Sequence, residues 1–593
     1  MVILRSGIVP LVIALGGLRI SLPAPLPAQQ SGARELAGLW EARLRFGPDI
    51  RGPLIIEHVA GEWRAEIAGW SAAARLTGDT IVFELPDGRG GFRGQLDSGR
   101  RRIVGHWIQA ATVTSGSRYA SPATLARAGN AERWCGAIDP LADEFTMYLK
   151  VEPAADGSMR AFLRNPERNI GRFTRVAALE RAGPIVRLLA AASAADSDRV
   201  LAEGVLHDDV LSMPLRGGTY DFRRVDPGQA SDFYPRSRPG AGAAYRYRPP
   251  PPLEDGWPVA TPEDVGMSRA ALERLVRMII DTPIDSVSAP EIHGVLIARH
   301  GRLILEEYFH GEHRDKPHDT RSAAKSLTTV LLGAAIHAGV PLDAQSSVYR
   351  VMNGGVLPSD LEPRKRALTL EHLLTMSSGL DCDDNDPDSP GNEDAVAEQT
   401  AEPDWWRLTL GLRMIREPGE RAVYCSVQPN LVGGVIRHAS GRPLTELFHD
   451  LVAEPLQIHR YWMNLAPLGE AYMGGGARFL PRDFLKLGAL MLNGGTWGGH
   501  RVVTEAWARR ATSHVVDLGR QQYGYLWYVI EYPYHGRTVR GFYAGGNGGQ
   551  VVMGFPELDL VVAFFGGNYN DRVMFQTQER LVPEDVLPAV AVQ

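Results

Sequence analysis

The chain has 593 residues, enough for two or more domains at roughly 100–200 residues each. With 44% hydrophobic and 22% charged residues its composition is globular, which excludes wholesale disorder and a multi-span membrane protein. A net charge of −6 with no basic tract argues against nucleic acid as a partner, and three cysteines without C-x-x-C spacing exclude a disulfide-dense or zinc-ribbon scaffold.

Residues 1–28 read as a secretory signal: Arg5 as the positive start, Ile8 to Leu18 as the apolar run, and a small-residue exit with cleavage after Ala28. The run is too short to span a bilayer, no later segment is long and apolar enough, and no cysteine follows to take a lipid anchor. The expected location is periplasmic or secreted, with no integral membrane span after signal removal.

From 36 to 225 the apolar residues alternate. Pro53–His58, a turn at Gly61 and Trp63–Ile67 read as a hairpin, and Thr80–Leu85 as another strand before Pro86-Asp87-Gly88. The pattern runs twice. Gly38-Leu39-Trp40 opens the first pass and Arg133-Trp134-Cys135-Gly136 the second, with Thr146–Val151 and the turn at Asp156-Gly157 mirroring the first hairpin. This predicts an all-β N-terminal module, duplicated and barrel-like. Residues 226–258, with Pro249 to Pro252 at their end, read as a semi-rigid extended linker.

The texture then becomes mixed. Ser268 caps a helix to Ile280, with Leu272, Leu275, Val276 and Ile279 on one face. Hairpins follow at His293–Ala298 with Leu303–Phe309, and at Gln550–Phe555 with Leu558–Phe565. Residues 259–593 are therefore expected to form an α+β domain whose two ends close one antiparallel sheet, flanked by helices and joined to a helical subdomain.

Only five of the 63 basic residues are lysine, and a site that needs a neutral amine cannot use arginine. Of those five, Lys325 alone has a serine three residues before it. It lies in Arg321-Ser322-Ala323-Ala324-Lys325-Ser326, which opens an apolar segment running to Ala338. On a helix, Ser322 and Lys325 share a face, and burial lowers a lysine pKa, freeing the amine to take the serine proton. The plainer reading is a helix cap followed by a snorkelling lysine.

Further on come Leu373-Leu374-Thr375-Met376-Ser377-Ser378-Gly379-Leu380, then Pro418–Ser426 with Tyr424, then Ala544-Gly545-Gly546-Asn547-Gly548-Gly549-Gln550. In this order and spacing the four segments resemble the serine beta-lactamase-like superfamily: class C beta-lactamases, penicillin-binding carboxypeptidases, esterases and 6-aminohexanoate-dimer hydrolases. The resemblance covers about residues 259–575. It implies Ser322 as the nucleophile, Lys325 as general base, Tyr424 as proton shuttle, and the backbone N–H groups of Ser322 and Asn547 as the oxyanion hole. It places Ser426, Gly545 and Gly546 at the substrate. Ser426 stands where asparagine is usual, and Ala544-Gly545-Gly546 replaces a Lys-Thr-Gly or His-Thr-Gly triplet, so the cation that meets a beta-lactam carboxylate is missing.

Between 381 and 404 the chain carries ten carboxylates and no base, followed by Trp405 and Trp406. This is either a solvated surface loop or an acidic lid with an aromatic wall that favours amine-bearing substrates. As a calcium loop it fails, because Ser389 and Ala395 stand where glycine and glutamate are required. Cys382 and Cys425 flank two elements that converge in the family fold, which makes them disulfide candidates. His310, Glu312, His313 and His318 gather before the nucleophile without a zinc spacing, so no metal is expected, and no cofactor.

The resulting expectation is an exported serine hydrolase acting on a small ester, amide or peptide-like substrate through an acyl-enzyme on Ser322. The rivals are a penicillin-recognising beta-lactamase or D-Ala-D-Ala carboxypeptidase, and a silent binding or sensor module on the same fold.

Overall fold

The computed structural model describes residues 32–129, 132–168, 175–190, 200–215, 217–226, 232–236 and 245–591. The signal reading of 1–28 lies outside them. Among the described residues no helix is long and apolar enough to cross a membrane.

Among the described residues, sixteen strands precede residue 226. The first eight are β1 (Gly38–Gly47), β2 (Gly52–Val59), β3 (Glu62–Ile67), β4 (Trp70–Thr77), β5 (Thr80–Glu84), β6 (Gly90–Leu96), β7 (Arg102–Gln109) and β8 (Arg118–Arg127). The second eight are β9 (Arg133–Ile138), β10 (Asp143–Pro153), β11 (Met159–Arg164), β12 (Val176–Ala182), β13 (Ile185–Ala190), β14 (Val200–His207), β15 (Val210–Leu215) and β16 (Gly218–Arg224). They close two antiparallel barrels, but not one per octet. β2 to β8 close on β9, which pairs with both β2 and β8. β10 to β16 close on β1, which pairs with both β10 and β16.

Each octet has thus given its opening strand to the other barrel. The exchanged strands occupy matching places. Trp40 of β1 lies opposite Arg224 with the guanidinium 4.5 Å from its ring, and Trp134 of β9 lies opposite Arg127 at 5.7 Å. Both indoles are buried, since a barrel this narrow is filled by inward side chains rather than solvent. The first barrel also holds Phe83, Phe92 and Trp107, and the second Met147, Met213 and Phe222.

The segment read as a linker is docked where described. Phe233 is buried against Tyr148, and the Tyr245 hydroxyl donates to Glu307 (2.6 Å). The other parts of that reading, 227–231 and 237–244, lie outside the described residues.

The C-terminal region has the predicted plan. Helix α1 (Arg269–Ile280) is capped by Ser268, whose hydroxyl accepts from the Ala271 N–H, and it buries Leu272, Leu275, Val276 and Ile279. β17 (Ile292–Arg299) and β18 (Arg302–Tyr308) form the first hairpin. β19 (His318–Asp319), β20 (Tyr461–Leu465) and β21 (Arg478–Phe479) form a small side sheet, and β22 (Thr496–Trp497) pairs with β23 (His500–Arg501). Then come β24 (Val516–Leu518), β25 (Gln521–Tyr523), β26 (Tyr528–Tyr534), β27 (Arg537–Gly546), β28 (Gln550–Phe555) and β29 (Leu560–Gly566). The main sheet runs β18-β17-β29-β28-β27-β26-β25-β24, so its first hairpin is closed by its last strand. Helix α2 (Lys325–His337) is buried from Lys325 to Ala335, and α3 (Val427–Ser440) packs beside it as part of the helical lobe.

The two barrels attach to this domain differently. The first is joined through strand pairing of β8 with β20, with Ala120 opposite Met463. The second is joined through Arg164 and Glu291, an ion pair of 2.9 Å whose side chains are both 0% exposed.

Candidate active site

Ser322 sits in a 3₁₀ turn, Arg321–Ala324, that runs directly into α2. The expected first turn of an α-helix is therefore tighter. Three residues per turn stack positions i and i+3, which sets Lys325 over Ser322. The Lys325 ammonium nitrogen is 3.0 Å from the Ser322 hydroxyl oxygen. Arg321, just ahead, has φ of +48°, held by its N–H on the Asp319 carboxylate (3.0 Å).

Lys325 is 2% exposed. Burial lowers its pKa, and the carboxylates of Glu393 and Asp384 work against that without reversing it. Two other lysines contrast with it: half-buried Lys316 pairs with Glu312 and buried Lys486 with Asp483, each at 2.7 Å. Among the described residues Lys325 makes no such ion pair; its nitrogen lies on Ser322 and 5.0 Å from the Tyr424 ring centre. Tyr424 lines the same cleft as Ser322. Burial pushes the phenol pKa well up, so it stays protonated at neutral pH.

Ser322, Tyr424, Gly545, Gly546 and Asn547 line one cleft of about 630 Å3. Gly546 has to be glycine: a Cβ there would stand 2.4 Å from the Thr320 carbonyl oxygen and 3.0 Å from the Ala323 nitrogen. That close approach brings β27 against the serine turn. The Asn547 side chain is clamped to Asn570, donating to its side-chain oxygen (2.6 Å) and accepting from its N–H (2.7 Å).

Ser426 does not open onto the cleft surface. It is fully buried, and its hydroxyl donates to Asp384 (2.6 Å) and Glu393 (3.0 Å). Trp405 packs edge-on against Tyr472 (5.4 Å) and Trp406 against His438 of α3 (5.9 Å), both apart from Ser322. Of the two readings of the acidic loop, a solvated run or a lid at the site, the second fits two of its carboxylates. Asp384 and Glu393 line the cleft, and Glu393 also accepts from the Tyr472 hydroxyl (2.7 Å). Burial raises the Asp384 pKa, while Ser426 and Lys325 draw it back down. The one available signal was Cys382, two residues ahead, which is bonded to Cys425 and pins the loop beside Tyr424. Asp384 N–H donates to the Tyr424 carbonyl (3.0 Å) in the same seam.

The histidine cluster has another use. His318 lies 2.8 Å from His293, Glu312 is taken by Lys316, and His310 is buried 4.0 Å from Glu291. Among the described residues no group of three or more His, Cys, Asp or Glu is arranged to hold a metal ion.

An antiparallel sheet closed by both ends of its domain, a helical lobe, and a Ser-x-x-Lys turn at their junction form the arrangement that the sequence resemblance implied. Residues 286–572 match the family model described as Beta-lactamase. A curated relative, the 6-aminohexanoate-dimer hydrolase of Paenarthrobacter ureafaciens, is 26% identical over 226 residues, 36% of this chain. The match spans 55% of that relative's length. Among solved structures, a penicillin-binding protein homologue from Caulobacter crescentus matches with a TM-score of 0.39 at 16% identity, covering 50% of this chain and 91% of its own. EstCE1, a hydrolase with promiscuous acyltransferase activity, matches with a TM-score of 0.40 at 19% identity, covering 52% and 97%.

Proposed function

We propose that the protein is an exported serine hydrolase that cleaves a small ester or amide through an acyl-enzyme on Ser322. The observation that carries this reading is the buried Lys325 nitrogen 3.0 Å from the Ser322 hydroxyl, outside any ion pair among the described residues. The neutral amine takes the Ser322 proton as the oxygen attacks the carbonyl carbon. The negative charge passes to the carbonyl oxygen, facing the N–H groups of Ser322 and Asn547. Collapse expels the alcohol or amine, which receives its proton from Lys325 through the Tyr424 hydroxyl. Water then attacks the ester carbon, gives a proton back along the same relay, and releases the acid and free Ser322. The raised Tyr424 pKa suits a neutral phenol that accepts one proton as it donates another.

Loss of the Lys-Thr-Gly-type cation argues against a penicillin carboxylate as the preferred ligand. The acidic pair Asp384 and Glu393 favours a neutral or amine-bearing substrate instead. The readable signal segment and the Cys382–Cys425 bridge support an oxidising location outside the cytoplasm.

A fluorophosphonate probe should label the wild type at Ser322 and leave Ser322→Ala unlabelled. Lys325→Arg, which keeps charge but supplies no neutral amine, should lower ester turnover at least a hundredfold. An unlabelled wild type, or near-normal turnover in Lys325→Arg, would overturn the reading.

A further inference from the structure

A second cleft, of about 900 Å3, opens where the second barrel meets the catalytic domain. The barrel side is mostly apolar, with Phe145 and Met147 of β10, Leu163 of β11, Leu201 of β14, Leu215 of β15 and Tyr220 of β16, and carries one charge, Arg168 just beyond β11. Phe145, Met147, Leu163 and Tyr220 belong to the barrel's own core, whereas Leu201 and Leu215 are only half-buried and form the mouth. The opposite side is polar and belongs to the catalytic domain. There Glu393, Asn547 and Asn570 line this cleft and the Ser322 cleft alike, so the two are continuous.

We infer that the mouth of the second barrel is a substrate subsite, receiving the apolar chain or ring of the ester or amide that is cleaved at Ser322. The inference rests on the hydrolase reading of Ser322. A concave apolar wall joined to a few convergent polar groups is the usual form of a small-molecule site, and its volume lies in the ordinary range of roughly 300–1,000 Å3. The location fixes what it can hold. An apolar group placed there leaves the rest of the molecule at Asn547, beside the serine. A free surface patch would have no such continuation. The first barrel contributes only Val113 and Thr114, between β7 and β8, to the rim of this second cleft and nothing to the lining of the Ser322 cleft; its strand pairing with β20 directs it to the side sheet.

Burying a methylene in such a wall is worth about a threefold to fourfold gain in affinity. The test uses two ester series on the full chain, one lengthening the acyl part (4-nitrophenyl acetate to octanoate) and one lengthening the alcohol. In at least one series kcat/KM should rise tenfold or more. Leu215→Trp, which narrows the mouth, should cut the long-to-short ratio at least fivefold, and Leu201→Trp serves should the first variant misfold. Equal rates along both series, or an unchanged ratio in both folded variants, would overturn the inference. A readout free of turnover uses Ser322→Ala with a dansyl undecanoyl amide: saturable binding, weakened by Leu215→Trp, is expected. If the wild type takes the fluorophosphonate label but Ser322→Ala binds no dansyl amide, the subsite fails and the hydrolase stands. If no label is taken yet the dansyl amide binds and Leu215→Trp weakens it, the hydrolase reading fails and the apolar site stands.

Discussion

The two barrels are built from the same eight-strand pattern, with the same tryptophan and arginine meeting at the exchanged strand, yet they are lodged in opposite ways. The first continues its sheet into the catalytic domain through backbone hydrogen bonds between β8 and β20. Further contacts include His106 with the Tyr461 hydroxyl (2.8 Å), Arg93 with Glu446 (2.9 Å) and the packing of Tyr119 with Trp462. Among the described residues the second pairs no strand with that domain. It is pinned by a guanidinium and a carboxylate removed from water, with Arg164 also donating to the carbonyls of Ser286 (3.1 Å) and Ala289 (3.4 Å). One repeat thus docks by edge completion, which tolerates side-chain change. The other docks by a charge pair, which does not. The charge-docked copy is the one whose mouth meets the catalytic cleft.

The largest test of this contrast is Arg164→Met. It strands Glu291 in the interior, and urea unfolding should show about 3–5 kcal/mol lost. A loss below 1 kcal/mol would mean that the second barrel is held by something else.

Acidification should come next. Burial holds neutral His318 and His310 down to about 3 and about 4 in the second seam, against an ordinary value of 6.5. Glu291, Glu312, Lys316, Arg164 and Asp319 surround them. Burial would raise Glu291 and Glu312, but Arg164 beside the first and Lys316 beside the second hold them at about 2. The unfolded chain therefore binds more protons than the folded one between pH 6.5 and 3, so stability must fall with pH across that window. At pH 5 the loss relative to pH 7 is about 2 kcal/mol per buried histidine. The first seam has one such group, His106, also lowered to about 3 by burial. Hydrogen exchange at pH 5 should accordingly open the second seam before the first. The reverse order would break the comparison.

Arg93→Met should have the smallest effect. Arg93 is 40% exposed, so its pair with Glu446 is screened, and the denaturation midpoint should move by less than about 1 kcal/mol.

Much of the site was legible before any coordinates. A serine and a lysine three apart lie in contact, and that serine, the tyrosine after the Pro-Gly turn and the Gly-Gly-Asn segment line one cleft, as the family resemblance implied. Strand alternation and the Ser268 cap were equally readable, since burial on one face and an orphan N–H are local demands. The acidic loop was legible only as two alternatives, a solvated run or a lid. Ten carboxylates in 24 positions look like a solvated run, and only the fold shows that Asp384 and Glu393 turn inward to take the Ser426 hydroxyl. Trp405 and Trp406 were drawn to the site by proximity in sequence and were carried off by Tyr472 and α3.

By itself, the sequence determined the repeats, the helix starts and the chemistry on offer at Ser322, Lys325 and Tyr424, because pattern and residue type act over a few neighbours. The tertiary structure alone decided that β1 and β9 change places, since either strand satisfies the same inward-outward alternation in either barrel. It also decided which lysine loses its carboxylate, because burial and partners are set by segments far apart in the chain. The same packing turned one of two like barrels toward the serine.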